Sequence, residues 1–142
     1  FSPTQTGDLL FRYSITSHEG DWKMAKSRNF GWEISNPPIT VFVEGKKEGS
    51  LNSTKSFCNI DKVNVMLLNM KMAEDNDGII IRLIETEGKE TSVTITFPSM
   101  KIKEAQLVNL MEENGKMLDH QPHSVTLPIK AFGITTARIK IA

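Results

Sequence analysis

The chain has 142 residues, 39% of them hydrophobic and 24% charged, and this size and composition predict one globular domain over residues 1–142. Seventeen basic residues balance seventeen acidic ones, which argues against a nucleic-acid-binding protein because such proteins carry excess positive charge. The single cysteine excludes an internal disulfide, and no run of about 20 apolar residues predicts a membrane span.

The N-terminal residues 1–8 lack the basic and apolar regions of a signal peptide. On this ground the sequence predicts a cytoplasmic location. A chain that begins with Phe1 rather than methionine is interpreted as a piece of a longer polypeptide, and a targeting signal upstream stays open.

Short runs rich in β-forming residues recur along the chain, with turn-forming residues between them. They are residues 9–15, 39–44, 57–60, 63–70, 79–85, 92–97, 101–110, 124–129 and 134–141. Several of these runs alternate apolar and polar residues, which places one face on a core and the other in solvent. The pattern predicts an all-β fold, an antiparallel β-sandwich.

One short helix is predicted beside the strands, over residues 21–28. Asp21 is a suitable N-cap, and Trp22, Met24 and Ala25 are compatible with a helix.

The most informative segment is an acidic turn, residues 74–78, between the apolar runs 63–70 and 79–84. Asp77 and Gly78 supply the backbone freedom that a tight reversal needs, so the segment predicts a β-hairpin.

Three acids, Glu74, Asp75 and Asp77, cluster in this turn. A glycosidase needs paired carboxylates, but clustering on a solvated turn does not separate their pKa values without an enclosing pocket. We therefore assign no catalytic residue. The turn is interpreted as solvated, and the alternative is a loop that faces a binding surface on a neighbouring domain.

Other candidate groups have structural interpretations. Cys58 is interpreted as a buried structural thiol. His120 and His123 are separated by a proline that prevents a shared helix face, so they indicate a polar turn rather than a metal site. His18 is interpreted as a local hydrogen-bonding group, with contact to another domain or a ligand as the alternative.

Three aromatic residues, Tyr13, Trp22 and Trp32, have apolar neighbours, and we predict that they pack in a core. Exposed on one face, they would instead mark a stand-alone module that binds carbohydrate or protein, because sugar rings pack on aromatic side chains.

The chain also resembles the C-terminal β-domain of family 38 glycoside hydrolases, the retaining α-mannosidases. Five collinear segments carry the resemblance: Phe11-Arg-Tyr-Ser-Ile15 with His18 and Gly20-Asp-Trp22, Asn36-Pro-Pro38, the hairpin from Glu74 to Glu85, Asn109-Leu-Met-Glu112, and the closing strand through Ile139. The chain departs from the family pattern at Ile84, where tyrosine is frequent, and at Gly133, near the position of an acid.

The resemblance implies the C-terminal accessory β-sandwich of an enzyme that hydrolyses terminal α-mannosides with retention, in mannose catabolism. It implies a catalytic α/β domain elsewhere in the polypeptide as the partner, with α-mannoside bound by the whole enzyme. The zinc ion and the aspartate nucleophile belong to that other domain, so this chain holds no cofactor and is inactive alone. His18, Asp75, Asp77 and Arg82 match the family motifs and are candidates for facing the catalytic domain or its cleft.

Overall fold

The computed structural model describes residues 7–45, 48–113 and 115–142. The N-terminal stretch that we interpreted as lacking a signal peptide lies mostly outside these residues. The chain forms two compact units, Phe1–Glu48 and Gly49–Ala142. That residues 1–142 act as one functional domain stays a prediction.

The first unit contains α1 (Ser27–Ser35), and the predicted helix over residues 21–28 was wrong in position. Asp21 is not the N-cap of this helix, although its Oδ1 accepts the backbone N–H groups of Lys23 at 2.9 Å and Met24 at 2.8 Å in the turn before it. The residues after it form turns, and Lys26 takes a left-handed conformation with φ of 51°. This residue separates the turns from the helix, which begins at Ser27.

Residues 9–15 and 39–44 are not strands in the described part of the chain, so for the 142-residue chain on its own these two predictions were wrong. None of the described residues of the first unit is buried. β-Forming residues adopt strands by pairing and packing, and within this unit the two segments have no ladder partner among the described residues.

The second unit is an antiparallel β-sandwich, which confirms the predicted all-β fold. Its strands are β1 (Asn59–Ile60), β2 (Val65–Met72), β3 (Ile79–Glu85), β4 (Thr91–Thr96), β5 (Ile102–Val108), β6 (Lys116–Met117), β7 (His120–Gln121), β8 (Ser124–Ile129) and β9 (Ile134–Ile141). One sheet has the order β1-β4-β8-β7, and the other has the order β2-β3-β9-β5-β6.

The core lies between the two sheets. Alternate residues of the longer strands point into it, among them Ile81, Leu83, Val93, Ile95, Phe97, Val125, Leu127, Ile129, Ala137 and Ile139. The intervening residues of β3 and β9, such as Arg82, Thr136 and Arg138, therefore lie on the outer face of the five-stranded sheet. This outer face carries the polar groups of the candidate site.

Candidate functional site

The predicted hairpin is confirmed: β2 and β3 pair directly, and residues 73–78 form its tip. The N–H of Ala73 donates to the carbonyl of Gly78 at 2.9 Å, and that of Asn76 donates to the carbonyl of Ala73 at 2.9 Å. Positive φ angles occur at Asn76 (60°) and Gly78 (110°), so the freedom comes from these two residues rather than from Asp77 with Gly78.

The aspartates of the tip pair with cations on β9. Asp75 Oδ2 lies 2.6 Å from Arg138 Nη1, and Asp77 Oδ2 lies 2.6 Å from Lys140 Nζ. Lys140 also lies 3.5 Å from Glu104 on β5. The tip is therefore held against β9 by two ion pairs on the outer face of the sheet.

A second loop, residues 109–113, lies beside the tip, and several hydrogen bonds hold its backbone. Asn109 Oδ1 accepts the N–H groups of Met111 and Glu113, both at 2.9 Å. Arg138 Nη2 donates to the carbonyl of Glu112 at 3.0 Å, and Arg82 Nη2 donates to the carbonyl of Leu110 at 2.9 Å. Arginines on two adjacent strands thus fix the backbone of this loop.

Glu112 joins the loop to the tip. Its Oε2 accepts the backbone N–H of Glu74 at 2.9 Å, and its Oε1 lies 2.8 Å from Lys71 Nζ on β2. Lys71 also pairs with the Glu74 carboxylate. The tip and the 109–113 loop therefore form one composite structure.

The ion pairs of this composite structure shift the pKa values of the groups that form them. The Arg138 guanidinium beside Asp75 lowers the pKa of that carboxyl, and Lys71 lowers the pKa of Glu112. Glu112 in turn raises the pKa of Lys71, and Asp77 raises that of Lys140. Asp75 and Glu112 are anionic at neutral pH, whereas a general acid of a glycosidase needs a raised pKa.

An open depression of about 410 Å³ lies where the tip meets the loop. It is lined by Glu74, Asp75, Gln106, Met111, Glu112, Glu113, Gly115 and Arg138. Four of these eight residues are acidic and Arg138 is the cation among them, so the depression fits a polar contact better than an apolar ligand.

A second polar centre is built on Glu85, at the end of β3. Glu85 is fully buried, and its carboxylate accepts five hydrogen bonds. The donors are the side chain of Asn64 and the backbone N–H groups of Glu87, Gly88, Lys89 and Phe132, at 2.7–3.1 Å. Burial alone would raise the pKa of Glu85, but these hydrogen bonds outweigh it and lower the pKa from an ordinary 4.5 to about 2.

The predicted site residues occupy different environments. Asp75 and Asp77 lie in the hairpin tip and Arg82 lies on β3 beside the 109–113 loop, and each has a charged or carbonyl partner. His18 lies in the first unit and is exposed, with Nδ1 3.4 Å from the carbonyl of Glu19. That these four groups face a catalytic domain stays a prediction.

The other candidates have the following environments. Cys58 is half-buried against the core, and burial raises its pKa. His123 Nδ1 lies 2.8 Å from the carbonyl of Met100, in the turn before β8, which supports the structural interpretation. Trp22, Trp32 and Tyr13 are 48%, 38% and 83% exposed, so their predicted core packing was wrong: the unit that carries them has no buried residue among those described.

Sequence reasoning missed Glu85, Glu112, Lys71, Arg138 and Lys140. A signal for Glu85 was present, because it continues the inward-facing series of β3 and a charged residue there needs partners. The alternation of β9 placed Arg138 and Lys140 outward. Their partners lie on the β2–β3 hairpin, which is distant in sequence, and no local sequence pattern indicates this pairing.

No helix in the described ranges is long and apolar enough to cross a membrane. Within those same ranges, no three His, Cys, Asp or Glu side chains come together as a group that could hold a metal ion.

The sequence comparisons identify the family. The model of the family described as "Glycosyl hydrolases family 38 C-terminal beta sandwich domain" matches residues 64–137, about half of the chain. The chain belongs to this family. The match begins at Asn64, which donates to Glu85, and extends through the hairpin and the 109–113 loop into β9, so most of the composite structure lies within the family 38 C-terminal sandwich.

A curated relative agrees with this assignment. "Alpha-mannosidase G" of Dictyostelium discoideum is 27% identical over 146 residues, which cover 96% of this chain and 13% of that protein. The chain thus spans about one eighth of the length of this relative. No solved structure is significantly similar to the chain.

Glu112 is expected to hold the tip of this family 38 sandwich through its bond to the N–H of Glu74. In the Glu112→Gln variant the acceptor loses its charge and Lys71 loses a partner, so the Glu74 amide should exchange its hydrogen several-fold faster. Amide exchange measured by NMR on the 142-residue chain checks this. The matched control is Glu113→Gln, at the next and exposed residue; equal exchange of Glu74 in both variants would contradict the assignment.

Proposed function

We propose that this chain is the C-terminal accessory domain of an α-mannosidase that hydrolyses terminal α-mannosides with retention. The observation that carries the proposal is the match of the family 38 C-terminal sandwich to residues 64–137. The name of the Dictyostelium relative supports the substrate class, and its greater length supports a larger enzyme around this domain.

The role proposed for the chain is to support a catalytic domain rather than to carry out the reaction. The acids of the hairpin tip support this, because Asp75 and Asp77 are each paired with a cation of β9. The Arg138 guanidinium lowers the pKa of Asp75, so this carboxyl is held in its charged form and is a poor proton donor. The geometry favours a structural and recognition role for these acids.

The proposal places the chemistry in a catalytic α/β domain elsewhere in the polypeptide. A zinc ion that helps to orient mannose hydroxyls is proposed for that domain. The described residues of this chain offer no group that fits such an ion, so none of them is assigned to it.

The composite structure of tip and loop is the proposed contact with the catalytic domain. Its backbone is fixed by Arg82, Arg138 and Glu112, while Leu110 and Met111 stay exposed on the loop. A rigid loop loses little conformational entropy on binding, which favours a permanent contact. The candidates Asp75, Asp77 and Arg82 are proposed to act here by keeping the shape of that contact.

An assay on an aryl α-mannoside tests the proposal. The 142-residue chain with added zinc is expected to show no turnover above buffer, and the complete polypeptide encoded by the same gene is expected to hydrolyse the substrate. Turnover by the chain alone would overturn the accessory role. A complete polypeptide without α-mannosidase activity would overturn the proposed reaction.

A further inference from the structure

Residues 9–15 and 39–44 carry the composition of strands but do not form them. Both are rich in β-branched, aromatic and other large apolar residues, and in the described residues both are outside any ladder. Their apolar side chains are extensively exposed: 83% for Tyr13, 93% for Ile15, 93% for Ile39 and 87% for Phe42.

Each segment has the period of a half-buried strand. In residues 11–16, Phe11, Tyr13 and Ile15 alternate with polar residues, and in residues 39–43, Ile39, Val41 and Val43 occupy alternate positions. Alternate residues of a strand share one face, so each segment would present an apolar face and a second, mixed face. Because each segment has an apolar face, we expect both segments to pack on a hydrophobic core.

The described residues of this unit do not provide that core, since none of them is buried. Exposed apolar side chains on this scale mark a surface that another protein segment covers. If such segments are buried against a core, their backbone N–H and C=O groups lose water and need hydrogen-bond partners, which a sheet edge supplies.

The comparisons bear on whether the partner belongs to the same polypeptide. The family 38 C-terminal sandwich matches residues 64–137 and leaves out the first unit, whereas the Dictyostelium relative matches 96% of this chain, the first unit included. The match occupies 13% of that relative, so in that protein the equivalent of this unit is accompanied by a polypeptide several times longer. A covering sheet within the same polypeptide is therefore favoured over a separate partner.

We propose that residues 9–15 and 39–44 are β-strands of a second sheet, whose other strands come from a different part of the same longer polypeptide. The inference rests on that part of the proposed function that places the chain in a larger enzyme. It adds that residues 9–15 and 39–44 pair with strands outside the 142 residues.

Hydrogen exchange with mass spectrometry tests this inference on two proteins, the 142-residue chain and the complete polypeptide from its gene. In the 142-residue chain, peptides covering residues 9–15 and 39–44 should exchange at the rate of unstructured peptides. In the complete polypeptide the same peptides should exchange at least about tenfold more slowly, because strand hydrogen bonds protect amides.

Two substitutions sharpen the test. Ile15→Lys places a charge on the proposed core face and should remove most of the protection of residues 9–15 in the complete polypeptide. Thr16→Lys places the same charge on the opposite face and should leave that protection within about twofold of the unmodified protein. In the isolated chain neither substitution should change exchange.

Three results would overturn the inference. One is absence of protection in the complete polypeptide, and another is equal protection in the isolated monomeric chain. The third is protection of the isolated chain that rises with its concentration, together with dimer formation in light scattering, since a second copy would then be the partner. The aryl α-mannoside assay of the complete polypeptide is a separate measurement. A failure of the proposed reaction is therefore distinguished from a failure of the proposed second sheet.

Discussion

The Glu85→Gln substitution is expected to destabilise the sandwich by at least about 3 kcal/mol, a large share of the 5–15 kcal/mol typical of a domain. The carboxylate accepts hydrogen bonds from Asn64 and from four backbone N–H groups, in the turn after β3 and in the turn before β9. An amide of the same shape has one acceptor oxygen and presents N–H donors to buried N–H groups. Buried donors left without acceptors account for the expected loss.

The pH dependence of stability provides an independent check on Glu85. Its pKa in the folded chain is about 2, below the ordinary value of 4.5, so the folded state favours the ionised form. The contribution of Glu85 to stability is therefore fully present above pH 4.5 and is lost as the pH falls from 4.5 towards 2. The gap in stability between the unmodified chain and Glu85→Gln should narrow over the same range.

Urea unfolding of both proteins at several pH values measures this effect. The matched control is Glu90→Gln in the same turn, because Glu90 is exposed and should change stability by less than about 0.5 kcal/mol. A Glu85→Gln variant as stable as this control, or a gap that does not narrow in acid, would contradict the assigned role of Glu85.

The Gly78→Ala substitution is expected to destabilise the hairpin tip by about 2 to 4 kcal/mol. Gly78 has a φ of 110°, where a side chain is strained, and an added Cβ would lie 2.9 Å from the carbonyl oxygen of Ile139 on β9. The tip must move away from β9 to relieve this contact. The ion pairs of Asp75 with Arg138 and Asp77 with Lys140 should weaken with it.

Thermal unfolding and amide exchange across β2 and β3 measure the consequence of Gly78→Ala. The control is Gly49→Ala, because Gly49 has an ordinary φ and an added Cβ would meet no atom within 4 Å. This control should be neutral or slightly stabilising. Equal melting temperatures for the two alanine variants would show that β9 does not hold the tip closely.

The sequence predicted the sandwich well because its strands carry their own periodicity. The alternation in β4, β8 and β9 follows from one face packing on the core, and it is visible in a single sequence. Residues 9–15 and 39–44 have the same local signal, yet strand formation also needs a partner, which composition does not report.

The candidate site was only partly predictable, because it also depends on partners that are distant in sequence. The hairpin tip could be located from its acidic turn between two apolar runs. Its cationic partners, Arg138 and Lys140, come from the last strand, and Glu112 comes from a loop with no pattern of its own. Pairing between segments so distant in sequence depends on the register of β3 with β9, which sequence reasoning does not fix.

In the proposed function, this family 38 sandwich supports an α-mannosidase whose catalytic groups lie elsewhere in the polypeptide. The most direct test compares the complete polypeptide from the gene with a version that lacks residues 49–142, both assayed on an aryl α-mannoside at equal concentration. The complete protein should hydrolyse the substrate and should lose most of that activity on deletion, while the 142-residue chain alone should show none. Full activity of the deleted protein, or activity that follows the 142-residue chain, would contradict it.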